Sequence, residues 1–236
     1  MTDISNFWDD IDIRLTELMN KGYVKLPSLE KFNLNEVASN ISVDMNGATF
    51  AELCQSHKSF LEILDLEKNL TPKLFDIARN NFGYKGDKNN QYHIARRVEP
   101  GNSKELYRAH FDSHLFTLVL PIKIPTANNG GTAGDLIYFP NARSSPKTEL
   151  GNFFGKAYHK KYASKSGIEK FSVKHQKFTD NFNDYKPLLF FGNTTLHTNR
   201  GVSLDCSSYR LTLLAHFFDP SPKYGVGNVI RWIRSR

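Results

Sequence analysis

The segment YRAHFDSHLF, residues 107–116, sets His110 and Asp112 two positions apart. In an extended strand, side chains two apart leave the same face, so this imidazole and this carboxylate can approach one point. Both are ligands for divalent first-row metals. Such a pair alone is more often a hydrogen-bonded structural couple than a ligand set. A third ligand from elsewhere in the chain is therefore needed. His197 is the candidate, because it follows a very apolar run in KPLLFFGNTTLHTNRG that reads as a buried strand.

Two imidazoles and one carboxylate on one face of an octahedral ion leave three positions open, the arrangement associated with non-haem iron(II) oxygenases. A second constellation lies in SYRLTLLAHFF. Alternation puts Arg210, Thr212, Leu214 and His216 on one face and Tyr209, Leu211, Leu213 and Ala215 on the other. A guanidinium in so apolar a strand calls for a carboxylate partner, either a ligand or an internal Asp or Glu, and the order of the features favours a ligand. His114 would extend the pair to HxDxH, but a third ligand on one strand strains a facial geometry, so a hydrogen bond to a ligand or to substrate is expected of it. His216 reads more readily as a satisfied core histidine. Tyr107, Gln91, His93 and Thr117 are pocket candidates by neighbourhood alone. Arg96 and Arg97 leave opposite faces of their strand, Arg96 with Tyr92. For an anionic substrate, Arg96, Arg200 and a lysine-rich stretch are the first places to look.

These residues need elements to position them. Phe7, Trp8, Ile11, Leu15, Leu18 and Met19 recur at helical spacing, with Ser5 or Asn6 as N-cap and Gly22 past the end. GYVKLPSL suggests a short strand and NLNEVASNI a short helix. Thr71 and Pro72 open another helix, striped by Phe75, Ile77, Ala78 and Phe82 and stopped by Gly83. From residue 89 the period becomes that of strands: QYHIARRV, ELYRAHFD, FTLVLPIKI, DLIYFP, PLLFFG, TTLHTNRGV and SYRLTLLAHFFD, separated by turn-rich segments. Their spacing predicts an antiparallel sandwich or jelly roll. Residues 151–184 interrupt this pattern with aromatics and Lys156, Lys160, Lys161, Lys165, Lys170, Lys174 and Lys177. A solvated charged insertion, partly helical, is favoured slightly over a substrate lid.

With 236 residues and 39% hydrophobic content the chain can bury one substantial core. It is read as a single domain over 1–236: a helical leader and buttress at 1–88, a jelly-roll core at 89–220 with the basic insertion at about 151–184, and a tail at 221–236. The start, MTDISNFWDD, lacks a signal peptide's basic and apolar regions, and no apolar run is long enough to span a bilayer, so a soluble cytoplasmic protein is expected. Cys54 and Cys206 have no CxxC spacing, which supports neither a disulfide framework nor a zinc knuckle. A formal charge of +7 points to a polyanionic or carboxylated partner, although charge reports on steering rather than fold.

The sequence resembles the Fe(II)/2-oxoglutarate-dependent dioxygenases, especially their phytanoyl-CoA-dioxygenase-like and prolyl-hydroxylase-like branches. The likeness rests on HxD, a distal His, and an Arg followed two residues later by Ser or Thr: here His110, Asp112, His197, Arg210 and Thr212. GYVKLPSL, VEPGNSKELYRAHFD and GGTAGDLIYFP support it. It implies a mainly β fold with N-terminal helices, a cupin-like double-stranded β-helix. It further implies iron(II) held by His110, Asp112 and His197, with O2 and 2-oxoglutarate as cosubstrates and Arg210 and Thr212 on the far carboxylate of the latter. The implied reaction hydroxylates an unactivated C–H bond of a small or carrier-linked metabolite, releasing succinate and carbon dioxide. Asp112 argues against halogenation, since related halogenases carry a small residue there. Oxidative demethylation of nucleic acid is the alternative that the basic charge encourages, but no base-flipping or nucleic-acid module is recognisable. A jelly-roll ligand-binding protein without catalysis is the remaining one.

Overall fold

The computed structural model describes residues 5–52, 54–102, 106–127, 130–146 and 149–221. Apart from Ser221, the expected tail lies outside them. Ser5–Phe7 form one 3-10 turn and α1 runs Ile11–Lys21, so the helix begins after Asp10 rather than at Ser5 or Asn6. The chain bends there because Phe7 and Trp8 turn into the core, where the Trp8 indole donates to the Leu64 carbonyl at 2.8 Å. Gly22 ends α1 as expected, at φ +82° with its N–H on the Leu18 carbonyl.

After strand β1 (Tyr23–Lys25) comes α2 (Leu34–Met45), longer than its sequence signal. Asn33 and Glu36 cap its start reciprocally, the Asn33 side chain accepting from the Glu36 N–H and donating to the Glu36 carboxylate. Strand β2 (Phe50–Glu52) and helices α3 (Gln55–Ile63) and α4 (Leu66–Asn69) carry no clear signature in the sequence. Helix α5 (Thr71–Phe82) stops at Gly83, and Thr71 is buried in its first turn instead of capping it.

The strands that follow are β3 (Gln91–Val98), β4 (Phe116–Lys123), β5 (Leu136–Phe139), β6 (Phe178–Asp180), β7 (Leu188–Phe191), β8 (Leu196–Asn199) and β9 (Arg210–Phe217). They pair antiparallel in two sheets, β1-β7-β4-β9-β3-β2 and β6-β5-β8. This is the double-stranded β-helix that was expected. Alternation divides each strand of the larger sheet. Leu118, Leu120, Leu189, Leu211, Leu213, Ala215 and Phe217 bury one face under the N-terminal helices, each large side chain contributing roughly 1.5–3 kcal/mol. Val119, Leu188, Phe190 and Leu214 turn inward to Leu136 and Tyr138 of the smaller sheet.

Two expectations need correction. From Leu106 on, the segment ELYRAHFD is not a strand: Tyr107 takes a left-handed φ of +50°, and among its described residues only His110 makes a β-bridge, to His197. The lysine-rich stretch is more than a solvated insertion. It contains α6 (Glu149–His159), a 3-10 turn (Lys160–Tyr162), α7 (Lys165–Ser172) and β6. Ile168 and Phe171 of α7 are buried with Phe111, Phe139 and Leu196, which fastens the insertion to the sheet carrying His197. No helix among the described residues is long and apolar enough to cross a membrane.

Candidate metal centre

His110 and His197 sit directly opposite one another. Each backbone N–H bonds the other residue's carbonyl at 3.0 Å, and their rings lie 4.4 Å apart between centroids. The Asp112 N–H is held by the Gly192 carbonyl at 3.0 Å, which swings its carboxylate beneath the two imidazoles. His110 Nε2 then lies 3.6 Å from Asp112 Oδ1, and His197 Nε2 lies 3.7 Å from Asp112 Oδ2. One ligand atom from each of the three residues fits within 4.8 Å of the other two. The same-face argument for His110 and Asp112 thus reaches the right juxtaposition although the backbone is not a regular strand.

The protonation pattern suits a cation. His110 Nδ1 lies 2.7 Å from the Arg108 carbonyl and His197 Nδ1 lies 3.2 Å from the Thr195 carbonyl. A carbonyl can only accept, so both Nδ1 atoms carry a proton and both Nε2 atoms are turned toward Asp112. Burial works against ionising Asp112, but His197, His216 and His110 outweigh it and hold the carboxyl well below the usual range. Burial pushes His197 down to about 4 in spite of Asp112, so the ring is neutral at physiological pH. An anionic carboxylate and a neutral imidazole are the forms in which Asp112 and His197 would ligate metal.

A supporting network surrounds Asp112. The Thr117 hydroxyl donates to Asp112 Oδ2 at 2.5 Å and accepts from His216 Nδ1 at 3.0 Å. His216 is therefore not a plain core histidine; it lines the cavity, where burial lowers its pKa. Gly192 lets the strands close on this point: a Cβ there would come within 2.6 Å of Thr117 Oγ1 and 2.9 Å of the His114 carbonyl.

The triad opens into a cavity of about 570 Å3 between the sheets, and Arg210 and Thr212 line it. Arg210 is only 4% exposed. Its Nη1 donates to the Gly134 carbonyl and, at 3.2 Å, to Asn199 Oδ1, while Phe182 lies 5.5 Å from the guanidinium. Burial, with Arg96 nearby, lowers its pKa to about 10, which leaves it cationic. No carboxylate among the described residues lies within ion-pair distance of Arg210, so the internal partner allowed by the sequence is absent there. Gly134, at φ +86°, brings its backbone against this side chain; a Cβ would stand 3.0 Å from Arg210 Cδ.

Arg96, His114 and Thr117 also reach the cavity. Tyr107 packs instead against the cluster of Phe111 and Phe139, Gln91 bonds Glu67, and Arg97 bonds Glu99. His93 faces the helices, its ring 6.1 Å from that of the fully buried His57 of α3. Arg200 pairs with Asp135 at 3.3 Å and is already engaged. Sequence reasoning missed Asn199, although it shares the parity of His197, and it missed Phe182 and Gly134, whose roles depend on loop packing.

No family model and no curated protein matches the sequence. Solved structures do match the fold. One is a prolyl 4-hydroxylase from Phytophthora capsici, 13% identical, with 99% of this chain and 74% of that one covered at a TM-score of 0.56. A prolyl hydroxylase from Trichoplax adhaerens, solved with a hypoxia inducible factor peptide fragment, is 12% identical, with 92% of each chain covered and a TM-score of 0.55. A non-heme alpha ketoglutarate dependent carbocyclase from nogalamycin biosynthesis is 12% identical, with 97% and 92% covered and a TM-score of 0.51. At these identities the likeness establishes the double-stranded β-helix fold.

Proposed function

We propose that the chain, acting as one oxygenase domain over 1–236, is an Fe(II)- and 2-oxoglutarate-dependent hydroxylase of a small or carrier-linked metabolite. One observation carries this reading: a His110–Asp112–His197 cluster whose ligand atoms lie within 4.8 Å of one another shares a cavity with a buried Arg210 that has no carboxylate within ion-pair distance among the described residues. The overall change is balanced as C–H, O2 and 2-oxoglutarate going to C–OH, succinate and carbon dioxide. When bound, iron supplies the activation of oxygen that couples decarboxylation of the cosubstrate to that hydroxylation.

The chain's own residues perform the rest. His110 and His197 present Nε2, and Asp112 presents one carboxylate oxygen. Thr117 holds the other and is itself held by His216. Arg210 takes the far carboxylate of 2-oxoglutarate together with the Thr212 hydroxyl, its guanidinium kept in place by Gly134 and Asn199. Val119, Leu136 and Leu214 form the apolar wall that keeps water from the reacting groups.

Anaerobic addition of iron(II) and 2-oxoglutarate should produce a weak visible charge-transfer band, and admission of oxygen should produce succinate. His197→Ala should abolish both. Absence of the band in the unmodified protein refutes the proposal.

A further inference from the structure

The turn at 160–163 is a wall between two cavities. Lys160 and Ala163 line the cavity of the candidate metal centre, whereas Lys161 and Tyr162 line a second one, of about 380 Å3, against α7. Lys161, Lys170 and Lys174 line the second cavity together with His175, and no carboxylate among the described residues lines it. Lys170 lies in the last turn of α7 and Lys174 in the turn just past its end, and both line the same cavity. Neither has an ion-pair partner among the described residues, since the neighbouring Glu169 is taken by Lys177 at 3.3 Å. The His175 ring lies flat on Phe171, 4.1 Å between centroids, and Phe171 is rooted in the core, so the floor of this groove is rigid.

The charge continues through the wall. Arg96, Arg108, Lys160 and Arg210 line the first cavity, where Asp112 is the one carboxylate among the described residues. The chain as a whole carries 31 basic and 24 acidic residues, so linings this depleted of acid are not its average composition. The type of cation also differs between the two. The inner cavity mixes guanidinium groups with Lys160, whereas the outer groove offers ammonium groups, which bind phosphate as clustered point charges.

We propose that the groove formed by Lys161, Lys170, Lys174 and His175 binds the phosphate end of a substrate whose other end reaches past the turn into the first cavity. That the far end reacts there rests on the hydroxylase reading; the phosphate site does not. The test begins with inorganic pyrophosphate added to metal-free protein without 2-oxoglutarate, followed by amide NMR and calorimetry. Saturable shifts confined to residues 161–175 are expected, with binding weakened about tenfold or more in the K170E/K174E double variant and unchanged in Arg210→Met. A second probe, n-octyl phosphate, should shift the same residues and extend to Thr212 and His216, whereas n-octanol alone should not move 161–175.

Absence of saturable binding, or binding indifferent to K170E/K174E, overturns the phosphate site. Octyl phosphate shifts that stop at the groove overturn the link between the cavities. A short single-stranded oligonucleotide that occupies the groove more tightly than either probe overturns the small-molecule assignment. Failure of the hydroxylase reading shows separately, as no succinate formation under oxygen while the pyrophosphate result stands.

Discussion

Replacing His57 by leucine should remove a defined share of the protein's acid sensitivity. His57 is fully buried on α3, and neither of its ring nitrogens has a hydrogen-bond partner among the described residues. Burial, assisted by the neighbouring His93, drives its pKa from 6.5 to about 3. As pH falls below 6.5 the unfolded chain gains a proton that the folded chain does not accept until about pH 3. The stability present above 6.5 is therefore lost across that window. One full proton corresponds to about 1.4 kcal/mol per pH unit, and the unfolded ring is only half protonated at pH 6.5, so between pH 6.5 and pH 4.5 this one group removes roughly 2 kcal/mol. That is a large fraction of the ~5–15 kcal/mol that holds a typical domain together. Leucine fills similar space and leaves no polar atom to desolvate, so His57→Leu should be near neutral or stabilising at pH 7. Urea unfolding of metal-free protein at both pH values gives the double difference between variant and parent, which cancels the other histidines. An equal pH dependence in the two proteins would refute the argument and mean that the imidazole is solvated or hydrogen-bonded in solution.

Three further outcomes concern the candidate site. Arg210→Met should raise the dissociation constant for 2-oxoglutarate on the order of a hundredfold or more, because a buried carboxylate loses its charged partner; anaerobic calorimetry of iron-loaded protein measures it. Thr117→Val deprives Asp112 Oδ2 of a donor and His216 of an acceptor, and should weaken cobalt(II) binding about tenfold to a hundredfold, with Thr117→Ser restoring most of it; the cobalt absorption spectrum reports both. Gly192→Ala forces a methyl group against Thr117 Oγ1 and the His114 carbonyl, and should cost about 1–3 kcal/mol by thermal unfolding while lowering metal occupancy.

Much of this architecture is legible in the sequence, where a single physical period governs a segment. Alternation in SYRLTLLAHFF assigns every side chain of β9 to its observed face, and Gly22 and Gly83 mark two helix ends because only their backbones turn left-handed without strain. The resemblance and the residue types together bring His110, Asp112, His197, Arg210 and Thr212 to one cavity. Reading fails where tertiary contact decides. Tyr107 breaks what alternation takes for a strand, and Trp8 gives up helical continuity for a buried bond to Leu64. His216 has the pattern of a core histidine until Thr117 and Asp112 are seen beside it, and the partners of Arg210 come from loops that carry no periodic signal.

The Nδ1 bonds of His110 and His197 have a consequence for loading. Each ring is anchored to a carbonyl two residues earlier in its own chain segment, and the facing backbones are bridged to one another, so rotamer and tautomer are both fixed as the protein folds. Incoming metal meets a template whose ordering entropy is already spent. Chelation should then leave the fold standing, reloading should be a fast second-order event with no slow refolding phase, and the occupancy of the site should follow the free metal concentration rather than the history of the chain.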